Sequence, residues 1–78
     1  MASEIIWTNH ALRKLKKAGL EKWRGEKTLT DPDRIETSTA PRCKNYVRVN
    51  NHIEIGVCAK KNEDNNWLII SLWKRKLY

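Results

Sequence analysis

The pattern of apolar and polar positions divides the chain into a helical first half and a second half of strands. A short, mostly apolar segment at residues 4–7 predicts a first strand, and Thr8 or Asn9 can cap the helix that follows, because either side chain accepts from exposed backbone amides. Apolar positions recur at helical spacing over residues 10–18, and Gly19 marks the end of this helix. A weaker helical pattern spans residues 20–29 and stops at a Pro-containing turn.

The remainder of the chain has the alternation that is typical of strands. Residues 34–39 are compatible with an extended chain, and residues 44–49 and 53–58 alternate between apolar and polar positions. Residues 67–73 are apolar on both faces, as in a strand that is covered on two sides. The sequence therefore predicts a single α+β domain over residues 1–78. We expect a helical hairpin packed on a small, mainly antiparallel sheet, with the element order β-α-α-β-β-β.

The turn near residue 51 decides which side chains of the two neighbouring strands face each other. A two-residue turn at residues 50–51 would place apolar positions of one strand opposite polar positions of the other. A three-residue loop at residues 50–52 keeps the apolar positions together and sets Arg48 opposite Glu54 on the solvent face. We expect the three-residue loop, because a slip of one residue turns every side chain to the other face.

The cysteines and the apolar runs indicate the compartment. Cys43 and Cys58 are too few for a secreted disulfide scaffold and have no zinc-binding spacing. The expected register points them to opposite faces, which predicts free thiols. The longest apolar run, residues 67–70, is too short to span a bilayer, and no secretory signal is visible. We expect a cytoplasmic protein with no metal, no cofactor and no membrane contact.

The charge distribution points to a polyanionic partner. The net charge is +7, and the basic residues concentrate in residues 13–28, 42–61 and 67–78, with acidic groups between these blocks. Such a pattern indicates a surface that faces nucleic acid, although an acidic protein partner or solubility alone would also explain it. The residues expected to contact phosphates are Arg13, Lys14, Lys16, Lys17, Lys22, Arg24, Lys27, Arg42 and Lys44.

Several short segments together resemble one family over nearly the whole chain. These segments are Ile5-Ile6-Trp7-Thr8, His10-Ala11-Leu12, Gly19-Leu20, Leu29-Thr30-Asp31-Pro32-Asp33, Tyr46-Val47-Arg48-Val49-Asn50 and the apolar run from Leu68 to Trp73. They resemble the RelE/ParE-like toxins, nearest the BrnT-like branch and its small relatives. Two helix positions differ from that pattern, which has Arg where this chain has Lys14 and a second basic residue where it has Ala18.

The resemblance implies a fold, an activity and two partners. The implied fold is a helical hairpin against one face of a small sheet. The implied activity is cleavage of mRNA on the ribosome, held off by an acidic antitoxin protein. The leading hypothesis is therefore a metal-independent RNA endonuclease that inhibits translation. The alternatives are a non-catalytic, basic nucleic-acid-binding protein of the same fold and a gyrase-directed toxin that acts by protein contact.

Metal-free RNA cleavage needs a base, an acid and cations that stabilise the transition state. The expected solvent face supplies Glu54 beside Arg48, flanked by Tyr46 and Lys44, although the same two charges would also make an ordinary cross-strand ion pair. His10 is a further candidate, because imidazole readily exchanges protons near neutral pH; a structural histidine at the helix start is the alternative.

The C-terminal segment combines a stacking surface with cations. Trp73 could stack on a splayed base, and Lys74 and Arg75 could bind the reacting phosphate. Tyr78 is a candidate through the resemblance, because RelE-like enzymes often place a functional Tyr or His near the C-terminus. A frayed basic tail is the alternative explanation of this segment.

Overall fold

The chain folds into an α+β structure with two helices and one five-stranded mixed sheet. The computed structural model describes residues 4–38 and 43–77. The elements are β1 (Ile5–Trp7), α1 (Asn9–Ala18), α2 (Lys22–Thr30), β2 (Arg34–Thr37), β3 (Lys44–Asn50), β4 (Ile53–Lys61) and β5 (Trp67–Lys76). Neither helix is long and apolar enough to cross a bilayer in the part of the chain that the structure describes.

The sheet has the strand order β1-β5-β4-β3-β2. β1 runs parallel to β5, and every other neighbouring pair is antiparallel. The α+β class and the mainly antiparallel sheet are thus confirmed. The segment after the second helix, expected only to be extended, is a strand that pairs with β3 and forms one edge of the sheet.

The ends of α1 follow the sequence signals. The Thr8 hydroxyl accepts from the Ala11 amide at 3.2 Å, and Gly19 ends the helix with a φ of 68°. The Leu20 amide donates back to the carbonyl of Leu15, so Leu20 belongs to the end of α1. This is why α2 begins at Lys22 rather than at residue 20.

Gly25, which the sequence marks as a weak point of the second helix, is a packing position. A Cβ atom at Gly25 would overlap the ring of Trp7 and press on Leu72. The missing side chain leaves room for the Trp7 ring and the Leu72 side chain against α2. The Trp7 indole also donates to Glu26 of the same helix at 3.0 Å.

The expected pairing of β3 with β4 is wrong. Arg48 lies opposite Ile55, and Val49 lies opposite Glu54. The strands are joined by a two-residue turn at Asn51 and His52, both of which have positive φ. Hairpins favour such turns because their twist matches that of the strands, and Asn tolerates positive φ well.

The two faces of the sheet differ in whether helices cover them. On one face, α1 and α2 cover the main core, which includes Ala11, Leu15, Leu29, Tyr46, Ile55, Val57, Ala59, Ile69 and Leu72. No described helix covers the other face, which we call the helix-free face. Val47 is nevertheless fully buried there, beside its cross-strand partner Arg34.

Both cysteines are buried on the helix-free face. They are free thiols in this structure. Cys58 lies opposite Asn45, so these two side chains share a face. Cys43 is two residues before Asn45 and therefore points to the same face. The expectation that the two cysteines point to opposite faces is therefore wrong, for the same reason as the expected register.

Candidate nucleic-acid interface

A basic cleft lies between the end of α1 and the end of β5. It is lined by Lys14, Lys17, Lys74 and Lys76 together with Ala18, Leu72 and Trp73, and its volume is about 410 Å³. We call it the lysine cleft. No acidic side chain among residues 4–38 and 43–77 lines it.

The four lysines form two pairs, one on α1 and one on β5. Lys14 and Lys17 are three residues apart and therefore share one face of α1. Lys74 and Lys76 are two residues apart and share the helix-covered face of β5. The Lys74 ammonium also donates to the Ala18 carbonyl at 3.4 Å, which links the two sides of the cleft.

The cleft carries uncompensated positive charge. None of its four lysines lies within ion-pair distance of a carboxylate among residues 4–38 and 43–77. The neighbouring side chains of Arg13 and Lys16 are exposed, and α1 itself contains no acidic residue. A multiply charged anion would meet little electrostatic opposition at this surface.

The other predicted phosphate contacts are dispersed. Lys22 is exposed at the start of α2, whereas Lys27 faces Asp31 at 3.7 Å. Lys44 is exposed at the end of the β3–β4 hairpin opposite its turn. Arg42 lies outside the described residues.

Arg48 does not meet Glu54, so the expected pair is wrong. Its guanidinium donates to the backbone carbonyl of Asp31 at 2.6 Å and to the Asp31 carboxylate at 3.0 Å. Arg48 therefore anchors the chain that leaves α2 to the end of β3. The register shift explains this outcome, because Arg48 faces the helices and Glu54 faces away from them.

Glu54 is instead the centre of an ion cluster on the helix-free face. Its side chain is only 4% exposed and accepts from Arg34 at 3.0 Å and from Arg75 at 2.7 Å. Burial by itself would raise the pKa of Glu54. Hydrogen bonds from Arg34 and from the Trp73 indole, with the charges of Arg75 and Arg34, outweigh burial and lower this pKa below its ordinary value.

These contacts make Glu54 a poor general base. Both of its oxygens are occupied by guanidinium groups, and a carboxylate with a lowered pKa accepts a proton weakly. Sequence reasoning missed Arg34. The signal was present, because Arg34 and Glu36 alternate on one face of β2 and themselves pair at 2.8 Å.

Tyr46 and His10 are not brought to a common site. Tyr46 is 8% exposed in the main core, where its ring makes an edge contact with Trp67 at 5.5 Å between centroids. Its place on the expected solvent face is therefore wrong, and burial raises the pKa of its phenol. His10 is exposed at the start of α1.

The C-terminal residues divide between the two faces of the sheet. Lys74 lines the cleft, whereas Arg75 joins Glu54 on the helix-free face. The Trp73 ring lies directly on Gly56, where any Cβ atom would overlap it. Tyr78 lies outside the described residues.

The described residues contain no group of three or more His, Cys, Asp or Glu side chains that could hold a metal ion. Comparisons with protein-family models, with curated proteins and with solved structures found no significant match to this chain. The functional interpretation therefore depends on the geometry and charge of the surfaces described above.

Proposed function

We propose that the protein binds RNA through the lysine cleft and acts as a RelE-like toxin that inhibits translation. The observation that carries the proposal is the convergence of Lys14, Lys17, Lys74 and Lys76 on one cleft, which no described acidic side chain lines. Lysines are compact, strongly charged donors suited to phosphate oxygens. Such contacts position a nucleic acid without specifying its sequence.

Inhibition by occupying RNA is better supported than cleavage. The residues expected to form a catalytic face are separated, because Tyr46 is in the core, Glu54 is buried under two arginines and Arg48 holds Asp31. One strand and two helices followed by antiparallel strands support the RelE-like part of the proposal, with β2 as one strand more than expected. An acidic antitoxin would fit the same surface by charge.

Salt dependence measures the number of phosphates that the cleft neutralises. Each contact releases roughly 0.7 counterion from a single strand, so four lysines predict a slope of log K against log salt of about −3. Binding of a labelled single-stranded RNA oligonucleotide, followed by fluorescence anisotropy at several salt concentrations, gives this slope directly. An affinity that hardly changes with salt contradicts the proposal.

A pair of charge-matched variants locates the site. Lys14→Ala with Lys17→Ala removes two exposed cations from the cleft and replaces them with a better helix former, so folding should be unharmed. We expect weaker binding and a slope that is smaller by about 1.4. Lys44→Ala with Lys61→Ala removes two exposed lysines at the other end of the β3–β4 hairpin and should bind nearly as wild type. Equal losses in both variants would rule out a defined cleft.

Induced expression in bacteria tests the toxin part separately. Growth arrest with blocked translation and intact mRNA supports inhibition by binding. New mRNA ends, mapped by primer extension, would show that the protein is an endonuclease instead. Normal growth and translation on full expression of folded protein would exclude a toxin and leave an RNA-binding module.

A further inference from the structure

Trp23 is the most exposed large apolar side chain in the part of the chain that the structure describes. It lies in the first turn of α2 and is 56% exposed. A chain of this size has few aromatic residues with which to build its core, so an indole left in solvent is informative. Among the described residues, Trp23 is not one of the apolar side chains that pack against the main core.

Three cations lie near Trp23, and two of them, Lys27 and Arg48, are paired with Asp31. Together with Arg24, Lys27 and Arg48, Trp23 lines a small pocket whose floor includes Ile53 and Ile55. The Arg24 guanidinium lies 5.1 Å from the centroid of the Trp23 ring. The indole nitrogen donates to the carboxylate of Glu21, which fixes the orientation of the ring.

This pocket and the lysine cleft are neighbours on the helix-covered face. Ile53 and Ile55 of the pocket floor are the direct cross-strand partners of Lys76 and Lys74 of the cleft. Paired residues on adjacent strands lie on the same face, about 5 Å apart. A chain of phosphates that occupies the cleft is therefore within reach of the Trp23 ring.

We propose that Trp23 stacks against an unpaired nucleobase of the RNA whose phosphates occupy the lysine cleft, an inference that rests on the proposed function. The pocket holds only about 50 Å³, so the base lies on the ring at the pocket mouth rather than inside. Every base has a π-face, so this contact adds affinity without strict sequence preference. Arg24, which is not ion-paired with any described carboxylate, supplies a cation for the flanking phosphates.

Three variants of one residue separate stacking from other roles. Trp23→Ala removes the ring, Trp23→Leu keeps an apolar side chain without a π-face, and Trp23→Phe keeps a smaller π-face. Because the side chain is largely exposed, all three should fold, and thermal melts check this. We expect Ala and Leu to weaken binding of single-stranded RNA at least about fivefold, and Phe to recover part of that loss.

Inorganic polyphosphate serves as a probe that has the charges of RNA but no bases. The Ala and Leu variants should bind polyphosphate as wild type does, whereas Lys14→Ala with Lys17→Ala should lose affinity for both probes. RNA binding by the Leu variant at wild-type strength would overturn the stacking proposal and indicate an apolar docking site for a protein. Equal losses for RNA and polyphosphate in the Ala variant would also overturn it.

The experiment distinguishes failure of this inference from failure of the proposed function. If wild-type protein binds RNA and all Trp23 variants match it, the stacking site is wrong and the lysine cleft remains. If wild-type protein fails to bind RNA at all, the proposed function is wrong, and the stacking site is wrong with it.

Discussion

Replacement of Glu54 by Gln tests the ion cluster that closes the helix-free face. Gln has nearly the same shape as Glu but no charge, and its amide group offers only one acceptor oxygen. Arg34 and Arg75, which now donate to the two carboxylate oxygens, would then compete for that oxygen. The indole of Trp73 would also lose a charged acceptor.

The magnitude follows from the burial of the carboxylate and the exposure of its partners. A hydrogen bond to a charged group contributes about 1.5–3 kcal/mol. The side chains of Arg34 and Arg75 are 44% and 63% exposed, so solvent screens the interaction and gives the guanidinium groups alternative partners. We therefore expect Glu54→Gln to lower the free energy of unfolding by about 2 kcal/mol. For a domain of this size that corresponds to a decrease in Tm of roughly 8–16 °C.

The pH dependence gives a second and sharper readout. The pKa of Glu54 in the folded protein is lowered from its ordinary value of 4.5. A lowered pKa means that the carboxylate stabilises the fold fully above pH 4.5, and that this stabilisation is lost as the pH falls through the folded pKa. The difference in Tm between wild type and Glu54→Gln should thus be constant near neutral pH and shrink below pH 4.5. A variant as stable as wild type at pH 7, or a difference that persists unchanged into strong acid, would refute the role of the cluster.

Two further predictions concern the same face. Gly56→Ala should lower the free energy of unfolding by about 2–3 kcal/mol in chemical unfolding, because the new Cβ displaces the Trp73 ring. This cost should shrink in a Trp73→Leu background. An unchanged unfolding midpoint would show that the ring does not rest on Gly56. Burial first, and then the neighbouring Cys58 thiol, raise the pKa of the Cys43 thiol. Ellman's reagent should therefore react slowly with the native protein and count two thiols after unfolding, whereas two fast-reacting thiols in the native state would contradict the buried pair.

Local signals in the sequence were sufficient for the two helices and for four of the five described strands, whereas β2 was expected only as an extended segment. Thr8 and Gly19 act through their own side chain and backbone conformation, so their roles as caps can be recognised without knowledge of the rest of the fold. The spacing of Lys14 and Lys17 likewise predicts a shared helix face. Their convergence with Lys74 and Lys76 could not be predicted, because it depends on how α1 crosses β5.

The register of the β3–β4 hairpin could not be derived from alternation, because both faces of the sheet are buried. Val47 and Val57 are each fully buried, yet they lie on opposite faces. The rule that apolar positions share one covered face therefore selects the wrong register here. The two-residue turn instead depends on the positive φ values of Asn51 and His52. Gly is the usual residue at the second position of such a turn, so the His at position 52 did not signal it.

The strand arginines serve the fold, whereas the lysines of the cleft remain available to bind a ligand. Each arginine that lies in a described strand is held in an ion pair, Arg34 and Arg75 by Glu54 and Arg48 by Asp31. The planar guanidinium suits such fixed, multiple hydrogen bonds, whereas a lysine on its flexible stem acts as a mobile point charge. Among the described cations, those that line the cleft are all lysines. The affinity of the cleft should consequently increase with the negative charge of the ligand. Any preference for RNA over other polyanions must come from a second contact, such as the one proposed for Trp23.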